Sequence, residues 1–213
     1  MLEQEIKGLQ HKLLEMAGLA EQMLHEAIES VLTRDKVLAQ QVVETDDKID
    51  LFENEIESAC IQLIALHQPV AMELRFLATA MKVNQSIERI ADKSVSIAKR
   101  SIELLAYPPI KPFVDLPYAA QVIQGMVKDS IDALVHRDAE HALEIRERDS
   151  EVDEIYEKML NELVTHLSEH PKMIHSGISI LLLFRHLERI GDLAANIGEE
   201  VYYLVKGDVI RHR

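Results

Sequence analysis

Four pairs of acidic residues stand four apart in the chain: Asp46/Asp50, Glu88/Asp92, Asp149/Asp153 and Glu188/Asp192. On an α-helix such residues share a face, about 40° apart around the axis. Like charges at this spacing destabilise an isolated helix by about 0.2–0.5 kcal/mol per pair, so something must offset the cost. Carboxylates converging from two helices repel one another unless a cation bridges them. An all-oxygen donor set without thiols suits Mg²⁺, Mn²⁺, Ca²⁺ or Fe, and a structural Zn²⁺ less well. Further oxygen donors extend the columns. Asn54 follows Asp50, Glu157 follows Asp153, Asn84 precedes Glu88, and Asn196 and Glu200 follow Asp192.

A plainer reading competes. Acidic residues number 37 of 213, so some pairs arise by chance. Arg89 and Arg189, beside the glutamates, equally suit interhelical salt bridges in a metal-free helical scaffold. A metal-dependent hydrolase would use the same carboxylates, given open coordination positions. Other enzyme chemistry has less support. Carboxylate-bridged di-iron sites use Glu-x-x-His pairs. None of the ten histidines has Glu three residues before it, and Asp138/His141 comes nearest. No zincin, P-loop or dinucleotide-binding motif occurs. His186 reads as a flank or core residue, and the lone Cys60 as a small core hydrophobe.

The elements that must position the acids are helices. Apolar residues from Leu2 to Val31 recur at three-four spacing, which predicts one helix with a single buried seam. Asp35 predicts an N-cap for a second helix reaching His67, with Ile49, Phe52, Ile56, Cys60 and Leu63 as its seam. Pro69 breaks the chain before a third helix from Val70 to about Ala106. Four of the six prolines fall in residues 107–117, a linker. A fourth helix follows over 118–136, a fifth over 138–169, a break at Pro171, and a sixth from Lys172 to Lys206 with Gly207 as its cap. His212 and Arg213 read as a frayed tail. By helical-wheel arithmetic, Asp46/Asp50 and Glu88/Asp92 sit roughly 100–120° from their seams, flanking the core.

The halves look like copies. Asp46-Asp47-Lys48-Ile49-Asp50 lines up with Asp149-Ser150-Glu151-Val152-Asp153, and Ile87-Glu88-Arg89-Ile90-Ala91-Asp92 with Leu187-Glu188-Arg189-Ile190-Gly191-Asp192. The expected fold is all-α: six long helices forming two tandem, sequence-related three-helix bundles, residues 1–106 and 118–213. The net charge of −14 disfavours nucleic acid and an anionic membrane surface as partners, and favours cations and basic surfaces. No stretch approaches the roughly 18 apolar residues of a membrane span. An unpaired cysteine and an acidic N-terminus fit a cytoplasmic protein.

At these residues the chain resembles the PhoU family of bacterial phosphate-uptake regulators. Glu188-Arg189-Ile190-Gly191-Asp192, then Asn196-Ile197 and Glu199 to Gly207, is similar to the family's C-terminal signature. Leu74 to Ala78 followed by Ile87 to Asp92 is similar to its first-repeat counterpart. The resemblance spans essentially the whole chain. It implies two three-helix bundles and metal clusters (Fe, Mn, Mg or Zn) held by the eight acids above. It also implies a cytoplasmic, non-catalytic adaptor, often a homodimer and peripheral to the membrane only through partners. Such a protein restrains phosphate uptake and the phosphate-starvation regulon by contacting the phosphate ABC transporter's ATPase and the sensor histidine kinase. The first half departs from the family pattern: Gln85-Ser86 replaces an acidic residue and Leu. Ser96, Lys99 and Arg100 stand where the second half has Asn196, Glu199 and Glu200. Negative charge is lost beside the first cluster, so the second-repeat site is expected to be the better metal site.

Overall fold

Asp35 separates the first two rods as its residue type predicts. In the computed structural model, which describes residues 2–109 and 115–208, its carboxylate accepts from the backbone N–H groups of Val37 and Leu38 at 2.8 and 3.1 Å. Those are two of the donors that a helix start leaves unpaired. The cap divides α1 (Leu2–Thr33) from α2 (Lys36–His67). The seam of α1 is buried as its spacing predicts, from Ile6 and Leu9 through Met16 to Ala27. On α2, Ile49, Ile56, Cys60 and Leu63 are buried and Phe52 is half-buried. Gln68 closes α2 in the left-handed region, and α3 (Ala71–Leu104) starts two residues after Pro69.

The second half repeats this plan with one difference. α4 spans Leu116–His136, so Leu116 and Pro117, placed in the linker by sequence, lie in its first turn. Residues 110–114 of that linker, and the tail residues His212 and Arg213, lie outside the described residues. The single rod expected over 138–169 is interrupted: α5 runs Ala139–Glu147 and α6 runs Asp149–Glu169. Arg148 stands at the break, its backbone still in the right-handed helical region. Its side chain leaves the helix surface to donate to Asp129 at 2.6 Å and to the Val122 carbonyl at 3.2 Å, both on α4. Gly125 makes room, since a Cβ there would lie 2.9 Å from an Arg148 nitrogen. At this break the Arg148 N–H is shared between the carbonyls of Glu144 and Ile145. No Pro or Gly marks the position, so helical pattern could not reveal it. After Pro171–Met173, a turn of 3₁₀ helix, α7 covers Ile174–Lys206. Gly207 ends it at φ 79°, its N–H donating to the Tyr203 carbonyl at 2.8 Å.

The fold is all-α, with no strand among the described residues. α1, α2 and α3 pack on one another, as do α4, α5–α6 and α7. The two sets then join through their third rods. α3 and α7 run antiparallel along their length, pinned by Lys82–Glu200 at 2.9 Å near one end and by Ser179 donating to Glu103 at 3.3 Å near the other. Burial follows this plan: α3 and α7 bury 14 and 15 residues, whereas α2 buries six and α6 three. α3 and α7 are thus the central rods. α2 and α6 are outer rods, each laid along a central one, and the acids occupy the flanks where outer and central rods meet. Among the described residues no helix is long and apolar enough to cross a membrane.

Candidate functional site

In the first half, Asp46 and Asp50 come from α2 and Glu88 and Asp92 from α3. The fold brings all four into one electrostatic neighbourhood. Burial, then the charges of Asp50 and Asp92, raise the Asp46 carboxyl above its ordinary value. Burial, then Asp92, Glu53 and Asp50, push Glu88 up to about 7. Glu53 belongs to the same cluster. Its own carboxyl is raised by burial and by Glu57, Asp50 and Asp92. Sequence reasoning missed it because it stands three, not four, residues after Asp50, a spacing that also shares a helix face. Among the described residues, none of Asp46, Asp50, Glu53, Glu88 and Asp92 has an ion-pair partner. Arg89 and Lys99 act on them only from a distance.

Two side chains from the extended columns turn to the backbone instead. Asn54 donates to the Asp50 carbonyl of its own helix at 2.6 Å. Asn84, which is 2% exposed, donates to the Glu53 carbonyl at 3.0 Å and so ties α3 to α2 beneath the cluster.

The second half places Asp149 and Asp153 on α6 opposite Glu188 and Asp192 on α7. Burial, then Asp192, Asp153 and Glu199, push Asp149 up to about 6. Glu188 is also raised, by burial and Asp192 against the pull of Arg185 and Arg189. Basic side chains are built into this site. Arg185 lies 2.6 Å from Glu188, Arg189 lies 3.4 Å from Asp192, and Arg146 lies 3.4 Å from Glu199. An open cleft of about 730 Å³ runs beside Asp149, Asp153 and Asp192, and Arg89 and Lys93 of α3 also line it. These bases carried no periodic signal: α3 brings two of them across from the other half, and the short α5 brings Arg146.

His186 stands apart from both acid sets. It is half-buried, and burial with Lys93 and Arg100 nearby lowers its pKa. Arg100, counted by sequence as a charge beside the first cluster, turns away to pair with Glu103 at 2.6 Å. Cys60 is buried, and burial pushes its thiol up to about 11, which suppresses the reactive thiolate.

The donor chemistry fits a hard cation in both halves. Glu188 makes the point most directly: one of its oxygens meets Arg185, while the other is buried without a hydrogen-bond partner. A buried carboxylate oxygen without a partner costs free energy, and a cation would satisfy it. Among the described residues no three His, Cys, Asp or Glu side chains are grouped closely enough to ligate one ion as they stand. The eight acids share two electrostatic neighbourhoods, one in each half.

Comparison with known proteins agrees with this architecture. The PhoU domain family model matches residues 13–101 and again 117–201. A phosphate-specific transport system accessory protein PhoU homolog from Pseudomonas putida is 36% identical over 209 residues, spanning 98% of this chain and 82% of that protein. Its counterpart from Aquifex aeolicus is 34% identical, spanning 98% and 95%. The crystal structure of PhoU from Pseudomonas aeruginosa superposes with a TM-score of 0.95 at 36% identity, covering 98% of this chain and all of that one. The phosphate transport system regulatory protein PhoU from Streptococcus pneumoniae gives a TM-score of 0.93 at 26% identity, with both chains fully covered.

Proposed function

The chain belongs to the PhoU family, and on that premise we propose that it is a cation-binding, non-catalytic adaptor that restrains phosphate uptake. The observation that carries this reading is the recurrence, in both halves, of two carboxylate pairs facing each other across an outer and a central rod. Unneutralised, each set strains its own helix contact through repulsion and buried charge. Divalent or transition cations (Fe, Mn, Mg or Zn) would supply the positive charge. Asp46, Asp50, Glu88 and Asp92 would hold them in the first half, and Asp149, Asp153, Glu188 and Asp192 in the second. This reverses the order expected from sequence, which favoured the second-repeat site: the first set, with no ion pairs of its own among the described residues, carries the larger unmet charge and is the tighter site in this proposal. In the second, a cation competes with Arg185 and Arg189 for Glu188 and Asp192.

The chain's own residues do the rest. Asn84 fixes the level of α2 on α3 beneath the first cluster, and the rods α1 to α7 offer long polar faces of defined spacing. A cytoplasmic homodimer of this kind would dock the phosphate transporter's ATPase subunit and the sensor histidine kinase, meeting the membrane through those partners. Co-purification of the intact chain with the ATPase subunit tests the reading. Retention that weakens when Glu88→Gln and Asp92→Asn are combined supports it. Binding that ignores both the substitutions and a chelator counts against a cation-set surface. Steady phosphatase turnover with added Mn²⁺ would move the assignment to a metal-dependent hydrolase.

A further inference from the structure

The cleft beside the second cluster is lined as heavily by bases as by acids. Arg89 and Lys93 enter it from α3, Arg146 from α5 and Arg189 from α7. Arg146 and Arg189 hold their carboxylate partners at 3.4 Å, the long end of an ion pair. Arg89 and Lys93 have no carboxylate within ion-pair distance among the described residues. One helix thus presents two cations, one turn apart, to an open space that already contains two loosely held arginines. Two of the four cations therefore have no carboxylate partner among the described residues to account for them, which leaves them available to an anion.

We propose that this cleft is a binding site for a phosphoryl oxyanion, held by Arg89 and Lys93 together with Arg146 and Arg189. Guanidinium forks match the paired oxygens of a phosphoryl group, and an ammonium adds a mobile point charge. Asn196, which also lines the cleft, supplies a neutral donor. About 730 Å³ exceeds the needs of orthophosphate and admits a phosphate monoester as well. The first half does not repeat two of these groups. Val43 stands at the position matching Arg146, and Ser96 at that matching Asn196.

The acids on the wall set the terms of binding. Asp149, Asp153, Asp192 and Glu199 balance the four bases, so the cleft's own side chains sum close to neutral. A divalent cation on the second cluster tips it positive. Oxyanion and cation therefore strengthen each other's binding, by linkage. This coupling, unlike the oxyanion site itself, rests on the cation-binding reading above.

Equilibrium dialysis of the full-length chain tests the inference, with labelled orthophosphate in one arm and a nucleoside monophosphate in the other, each with and without Mn²⁺. Orthophosphate is expected to bind, and Mn²⁺ to tighten it by about tenfold. Combining Arg89→Gln and Lys93→Gln should weaken binding by at least about tenfold, two lost charge-assisted contacts. The single exposed change Arg89→Gln gives a second reading should the double variant lose helicity. Lys158→Gln, which removes a cation paired with Asp115 outside the cleft, should change nothing. Preference for the nucleotide arm would assign the cleft to phosphate esters rather than the free ion. Mn²⁺ bound but neither anion, or anion binding indifferent to both substitutions, overturns the inference and leaves the cation reading intact. Arginine-dependent orthophosphate binding without any Mn²⁺ binding does the reverse.

Discussion

Asp46, Asp50, Glu53, Glu88 and Asp92 of the first half face one another with no ion-pair partner among the described residues, whereas Glu188, Asp192 and Glu199 of the second half each lie against an arginine. Both halves carry the same Glu-Arg-Ile-x-Asp signature. The motif therefore fixes where the carboxylates stand but not how their charge is met. One copy leaves repulsion that an external cation can relieve, and the other relieves part of it internally. The cores beneath differ too. Asn84 in the first half occupies the position of Phe184 in the second, so a polar tie replaces an aromatic anchor.

Removing that anchor is the strongest way to separate the halves. Phe184→Ala should cost about 3–5 kcal/mol, the range for a deleted buried aromatic. Asn84→Ala should cost about 1 kcal/mol through its one bond to the Glu53 carbonyl. Urea midpoints compare them directly, and equal losses would show that the halves do not differ in their cores. Cation affinity comes next. Glu88→Gln with Asp92→Asn should abolish the tighter class of Mn²⁺ site, and Glu188→Gln with Asp192→Asn the weaker. The expected separation is about tenfold, or about 1.4 kcal/mol. Titration followed by elemental analysis reads both classes, and the opposite order would show that Arg185 and Arg189 help the second cluster more than they compete with it.

Protons offer a gentler probe. Glu88 and Asp149 hold their protons more tightly folded than unfolded, with carboxyls near about 7 and about 6. These two groups therefore bind more protons folded than unfolded between the ordinary carboxylate range and about pH 7, as do the raised Asp46, Glu53 and Glu188, while His186, lowered by burial, opposes them. Without added cations, stability should fall as pH rises through that window. Melting scans at pH 5, 6 and 7 should show the decline. Glu88→Gln should flatten its upper part and Asp149→Asn its lower part. A stability that rises from pH 5 to 7 contradicts the placement of these groups. The smallest effect belongs to the break in the fifth rod. Arg148→Ala should cost about 0.5–1 kcal/mol, since its pair with Asp129 is partly exposed. Thermal melts of the two proteins side by side would detect it.

Much of this was legible in the sequence because helices announce themselves by period. The seam of α1, the Asp35 cap, the breaks at Pro69 and Pro171 and the Gly207 stop each have a local cause that residue type reveals. The eight acids were found for the same reason, since i, i+4 spacing fixes a shared face. Other features depend on contacts distant in sequence. Arg148, at the break in the fifth rod, crosses to another rod because Gly125 and Asp129 receive it there. Arg89 and Lys93 border the second cluster because α3 lies against α7. The charge counted for Arg100 was misplaced because Glu103, one turn along, captures its side chain. Periodicity finds positions on a rod, but the direction a long side chain takes depends on the neighbouring rod.

The mutual burial of α3 and α7 has a consequence for how the chain melts. A duplicated sequence invites the expectation of two independent thermal transitions, one for each copy. Yet each copy's innermost rod is wrapped partly by the other copy, and the apolar interior runs without interruption through both. Either half excised at 107–117 would expose a long greasy stripe to water. The calorimetric trace of the whole should accordingly show a single peak, with the two ancestral units folding as one.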